Sequence, residues 1–130
     1  MRIPNAQSPK RGEIWLVQFA PSTGSEITNP HPAVVVSRDD VGVLPLRVVV
    51  PITSFQPRFA NVPWMVTINS TSNNGLHHKS VADCFQPRSF DVGRFLKKRG
   101  ELTPTQTEQI ARIVAEVLGV TFEESKESTS

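Results

Sequence analysis

The chain has 130 residues, 38% of them hydrophobic and 20% charged, a balance that fits one globular domain with a sizeable core and excludes a disordered chain. Its single cysteine, Cys84, excludes a disulfide within a monomer and suits a reducing cytoplasm, and no apolar run approaches the ~20 residues needed to span a membrane. The formal net charge is only +2, but residues 1–102 carry 12 Lys/Arg against 7 Asp/Glu while the last ten, TFEESKESTS, are acidic; the basic excess is either an ordinary solvated surface or a face for a polyanion.

Residues 1–10, MRIPNAQSPK, are polar, contain two prolines and lack an apolar h-region. They read as a flexible arm and not as a signal peptide. GEIWLVQF (12–19) alternates as a strand does. APSTGSEITNPHP (20–32) holds three prolines, a glycine and small polar residues, so it is a long loop. AVVVS (33–37) is β-branched and apolar on both faces, which predicts a buried strand. RDDVGVLP turns the chain into a third strand, LRVVVPITS (46–54), where Pro51 predicts an edge or a bulge.

FQPRFANVP (55–63) is a second long loop. WMVTIN (64–69) is a strand, STSNNG (70–75) a turn with Asn-Gly at its tip, and KSVADCF (79–85) a further strand in which Cys84 is a small core residue. RSFDVGRFLKKRGEL (88–102) reads as a short helical turn and a short basic strand. TPTQTEQIARIVAEVLG (103–119) is a helix. Thr103 is its N-cap, Pro104 takes the first helical position and Gln106 stands three residues after the cap. Ile110, Ile113, Val114, Val117 and Leu118 recur at helical spacing, and Gly119 stops the helix. The organisation is therefore an arm (1–10), one domain (11–120) and an acidic flexible tail (121–130). The fold is mainly β with a C-terminal helix, a small sheet that tends to curl into a partly open barrel.

Several chemistries have no motif here: there is no P-loop, G-x-G-x-x-G, C-x-x-C or G-x-S-x-G. His77 and His78 are adjacent. On a strand they point to opposite faces, and no Asp, Glu or Cys stands at ligand spacing around them, so no metal site is expected. What remains is a basic β domain with two long polar loops. One ends in His31, locked between two prolines; Thr53 and Ser54 end the third strand.

Taken in order, RGEIWLVQFAPSTGSE, HPAVVVS, VVVPITS, KSVADCFQPRSFD, LKKRGELT and the final helix resemble the MazF/PemK family of toxins, from about Arg11 to Leu118. The resemblance implies an SH3-like, partly open barrel of the MazF/CcdB type and a cytoplasmic homodimer. It implies a sequence-specific endoribonuclease that cuts single-stranded RNA and is neutralised by a cognate antitoxin. It also implies chemistry with no metal and no cofactor: the ribose 2′-hydroxyl attacks the adjacent phosphorus, leaving a 2′,3′-cyclic phosphate and a 5′-hydroxyl. Such a step needs a base, an acid and donors for the phosphorane. Two other readings stay open. One is a catalytically weak module that binds RNA and antitoxin. The other is a CcdB-like gyrase-directed toxin, because a shared fold does not settle function.

Carried residue by residue, the resemblance marks His31 and Thr53 as catalytic. Thr53 follows Pro-Ile as in the family, a hydroxyl donor to the scissile phosphate. His31 stands where the family has an arginine. An imidazole titrates near neutrality and suits proton transfer better than a guanidinium; a site that has lost its arginine is the competing interpretation, and a loop-end histidine bonded to backbone the plainest one. Arg11 and Glu26 match the family as RNA-binding candidates: Arg11 is a phosphate contact or an ordinary surface arginine, and Glu26 contacts a base edge, orients a neighbour or shapes the loop. Gln86 matches a residue near the base-reading surface, but Phe85 before it replaces an acidic residue, so stacking replaces hydrogen bonding there. Ser54, adjoining Thr53, is a further RNA-binding candidate, and Arg58, between Phe55 and Phe59, suits phosphate binding with base stacking. FLKKRG is a candidate basic stripe for RNA.

Overall fold

The computed structural model describes residues 8–19, 24 and 30–123. Its elements in chain order are β1 (Glu13–Gln18), β2 (Pro30–Val35), β3 (Leu46–Ser54), a 3-10 turn (Pro57–Phe59), β4 (Met65–Ile68), β5 (Ser80–Asp83), β6 (Arg88–Asp91), a second 3-10 turn (Val92–Arg94), β7 (Phe95–Glu101) and α1 (Pro104–Val117). The strands form one sheet in the order β4-β5-β3-β2-β1-β7, with β6 also on β3, and every pairing is antiparallel. The sheet does not close, since β4 and β7 lie at its two ends. This is the mainly β, partly open architecture with a C-terminal helix that the sequence predicts.

β3 is the hub. It pairs with β2 through residues 49–51, with β6 through 46–49 and with β5 through 52–54. Pro51 therefore marks no sheet edge. It is buried in the central strand, where the ladder changes partner between Val49–Arg88 and Ile52–Ala82. A residue with no N–H is tolerated where ladder continuity is interrupted.

Strict alternation along β1, β2 and β3 builds a core on each face of the sheet. Ile14, Val34, Val50 and Ile52 pack with Val66, Ile68, Leu76, Ala82, Leu102 and Ile110. Trp15, Val17, Ala33, Val35 and Val49 face the other way, against Phe19, Phe90, Val92 and Phe95. α1 covers the first core through Ile110, Ile113 and Val114. The predicted cap is present: Thr103 Oγ1 accepts from the Gln106 N–H at 3.1 Å, and Gln106 Oε1 accepts from the Thr103 N–H at 3.1 Å. Cys84 lies in this core, fully buried; burial first and the neighbouring Asp83 charge second push its thiol up to about 12. It is inert at neutral pH.

Two further expectations change. The segment 88–94 is a strand and a 3-10 turn, not a helical turn alone. β6 has one buried residue within it, Phe90, too few to show a period. Phe95 is core, while Leu96 beside it is exposed. The expected arm is attached at its end, where buried Pro9 accepts a hydrogen bond from Arg47 Nε at 2.9 Å and the Lys10 N–H donates to Glu13 at 2.9 Å. Among the described residues no helix is long and apolar enough to cross a membrane.

Candidate functional site

A pocket of about 160 Å³ opens at the end of β3, lined by His31, Pro32, Ile52, Thr53, Ser54, Gly75, Leu76, His77, His78, Ser80 and Arg99. Three pieces of chain converge there. The start of β2 brings His31. The β2–β3 register sets Ala33 opposite Pro51; continued by two residues it sets His31 opposite Thr53, where cross-strand side chains share a face. The connection between β4 and β5 supplies the third wall.

That connection is not the tight Asn-Gly hairpin the sequence suggests. Residues 69–79 form a broad loop folded around Asn74, which is 2% exposed. Asn74 Oδ1 accepts from the N–H groups of Thr71 and Leu76, and its Nδ2 donates to the Asn69 carbonyl. Gly75 has φ +71°, and a Cβ there would sit 2.1 Å from the Arg99 carbonyl oxygen. Glycine at this position lets the loop press against β7, so His77, His78 and Arg99 reach one pocket. Neither histidine lies on a strand, and the alternation argument that separated them does not apply. The sequence reading gave His77 and His78 no role and reached Arg99 only as part of the basic stripe. The signal available was that HHK precedes the apolar alternation of β5.

His31 is half-buried and packs edge-on against Phe19, with ring centroids 6.1 Å apart. Burial lowers its pKa below the ordinary histidine value, and a hydrogen bond to the Ile52 backbone partly opposes this. The neutral imidazole is thus favoured near neutral pH. Its Nε2 is buried without a hydrogen-bond partner. Buried polar atoms are rarely left so, because the desolvation is uncompensated. Thr53 is half-buried beside it. Ser54 Oγ lies 2.7 Å from His78 Nε2.

The other candidates lie elsewhere. Arg11 sits at the opposite end of β1, its guanidinium donating to the Val36 carbonyl and to Glu108 Oε1 at 3.1 Å. Arg58 is exposed, over the Phe59 ring at 4.7 Å and donating to Gln56 Oε1 at 3.0 Å. Gln86 donates to Asp83 Oδ2 at 2.9 Å, and Phe85, 57% exposed, meets Trp64 edge-on at 5.2 Å. Both follow β5 at the end remote from Ser80. Glu26 lies outside the described residues. Of the basic stripe, Lys98 pairs with Glu13 and Glu101, while Arg99 lines the pocket. Among the described residues no group of three or more His, Cys, Asp or Glu stands where it would hold a metal ion.

The family model of the PemK-like, MazF-like toxins of type II toxin–antitoxin systems matches residues 10–118. The chain is 36% identical over 108 residues to the endoribonuclease MazF9 of Mycobacterium tuberculosis, covering 78% of this chain and 88% of that protein. It is 33% identical over 111 residues to the endoribonuclease PemK of Escherichia coli, covering 85% and 77%. Among solved structures, MazF from Deinococcus radiodurans superposes with a TM-score of 0.73 at 24% identity, covering 88% of this chain and 99% of that one. A mycobacterial endoribonuclease in complex with its cognate antitoxin superposes with a TM-score of 0.68 at 18% identity, covering 88% and 99%.

Proposed function

Because the chain belongs to the PemK/MazF toxins of type II toxin–antitoxin systems, we propose that it is an endoribonuclease that cuts single-stranded RNA at short sequences, assembles as a homodimer and is neutralised by a cognate antitoxin. The observation that carries the catalytic part is the pocket at the end of β3, which His31 and Thr53 line together, the His31 Nε2 being buried without a hydrogen-bond partner.

The step uses the RNA's own nucleophile. Neutral His31 takes the proton from a ribose 2′-hydroxyl, and O2′ attacks the adjacent phosphorus. The P–O5′ bond breaks, giving a 2′,3′-cyclic phosphate and a 5′-hydroxyl. Thr53 donates a hydrogen bond to a phosphate oxygen, and Arg99 places positive charge where the phosphorane gains negative charge. His31 loses hydration on burial, and this keeps it in the form a base needs. No metal enters the step.

The test is cleavage of a mixed single-stranded RNA in EDTA, with the ends mapped. Cleavage that persists in EDTA, leaves 2′,3′-cyclic phosphates and fails on an all-deoxy strand is expected. Activity that disappears in EDTA and returns with Mg²⁺, or that cuts the all-deoxy strand, would contradict it. Binding of RNA without cleavage would favour the binding-module reading instead.

A further inference from the structure

The proposed step leaves one proton unaccounted for. His31 removes the 2′-hydroxyl proton, and the 5′-oxygen leaves as an alkoxide unless something protonates it. One ring cannot be neutral and protonated at the same moment. Either His31 alternates between the two roles or a second group supplies the proton, and such a group must stand on the far side of the phosphorus from His31, because attack and departure occur on opposite sides.

The topology supplies such a place. β3 runs between β2 and β5, so the end of β3 is flanked by His31 at the start of β2 and by His78 just before β5. Two strand spacings separate the flanking chains by about 10 Å, room for a phosphate between side chains that reach inward. Both rings line the same pocket.

His78 is exposed, and an exposed histidine is ordinarily a solvated one. Three contacts set this one apart. Its Nε2 lies 2.7 Å from Ser54 Oγ on β3. Its carbonyl accepts from Ser80 Oγ at 2.9 Å. The next carbonyl, of Lys79, accepts from the Phe55 N–H at 3.0 Å. Ring and backbone are both tied to the strands that frame the pocket, while Nδ1 keeps its capacity to donate.

Resting on the nuclease reading above, we propose that His78 is the second catalytic residue, the acid that delivers a proton to the leaving 5′-oxygen, with Ser54 as the positioning residue that aims its ring. The step then balances. The 2′-O–H proton passes to His31, O2′–P forms, P–O5′ breaks and O5′ takes a proton from the His78 imidazolium. His31 ends protonated and His78 neutral, and solvent restores both. Among the described residues, the charged and titratable groups that line the pocket with His78 are His31, His77 and Arg99, and none of the described lining residues is a carboxylate.

The test uses two single-stranded RNAs of one sequence, differing only in a bridging sulfur in place of the 5′-oxygen at the cut. A thiolate leaves without protonation, so the sulfur substrate does not need the acid. His78→Ala should slow cleavage of ordinary RNA by ~10²-fold or more and leave the sulfur substrate within a few-fold of the parent. Ser54→Ala should show the same pattern more weakly. His77→Ala should affect both substrates alike. Equal losses on both substrates for His78→Ala would make His78 structural and overturn the assignment, and so would no loss on ordinary RNA. A sulfur-rescued defect in His77→Ala instead would move the role to His77. A parent that cuts neither substrate refutes the nuclease reading, and this assignment with it.

Discussion

Arg11 and His31 sit at opposite ends of the same pair of strands, some 20 Å apart by strand rise, and they make opposite use of burial. At the Arg11 end every contact is closed: the guanidinium meets the Val36 carbonyl and Glu108, and the Arg11 N–H meets Asp39 Oδ1 at 2.7 Å. At the His31 end a ring nitrogen is buried with nothing to bind. A satisfied polar group adds stability; an unsatisfied one costs it, and persists where something else requires it. Both residues are candidates by sequence position. Only the structure separates a side chain held by its partners from a ring nitrogen buried without one.

The comparison is broken most directly at His31. His31→Ala should slow RNA cleavage by ~10²-fold or more, the usual scale for a removed acid–base group. Binding of an uncleavable RNA and thermal stability should barely change. Loss of binding with unchanged turnover of bound RNA would make His31 a contact residue only.

Gly75→Ala tests what holds the pocket wall. The new methyl meets the Arg99 carbonyl in a left-handed backbone, so a loss of about 1–3 kcal/mol is expected by chemical denaturation, with cleavage reduced as His77, His78 and Arg99 move. A neutral result would mean that the loop does not need its close seat on β7.

Arg11→Met sharpens the comparison from the other end. It should destabilise by about 1 kcal/mol, mostly through the Val36 carbonyl, since the Glu108 partner is well exposed. Cleavage by the folded protein and its salt dependence should stay as they are. A flatter salt slope would place Arg11 on RNA. The smallest effect is expected at Arg58→Ala, which should flatten the salt dependence of RNA binding by about one unit of slope. An unchanged slope would take the 55–63 loop off the RNA.

The fold was largely legible because its signals are local. Alternation fixes β1 and β3, and Thr103, Pro104 and Gln106 fix the start of α1. β6 was not legible, since one buried Phe90 in four residues carries no period. At the site, chain order was enough to mark His31 and Thr53 as candidates, and both line the same pocket. The meeting of His78 with Arg99 was not legible, because it depends on Gly75 approaching a backbone carbonyl from a distant strand. That is a tertiary contact with no periodic trace. For Arg11 the residue type suited phosphate, and only the fold shows its partners, Asp39, the Val36 carbonyl and Glu108.

The central claim, that neutral His31 is the base, is tested most directly by the pH dependence of single-turnover cleavage at limiting RNA. Burial lowers the His31 pKa, so the unfolded chain takes up the proton more readily. The stability His31 contributes is present above the ordinary histidine value and is lost as pH falls through the folded value. The same protonation removes the base. The rate should therefore fall on the acid side below an apparent pKa under ~6.5 in the free protein, and phosphates should raise that value in the complex. His31→Arg should retain measurable cleavage without this acid limb. An acid limb that persists unchanged in His31→Arg would assign the base to another group and contradict the account.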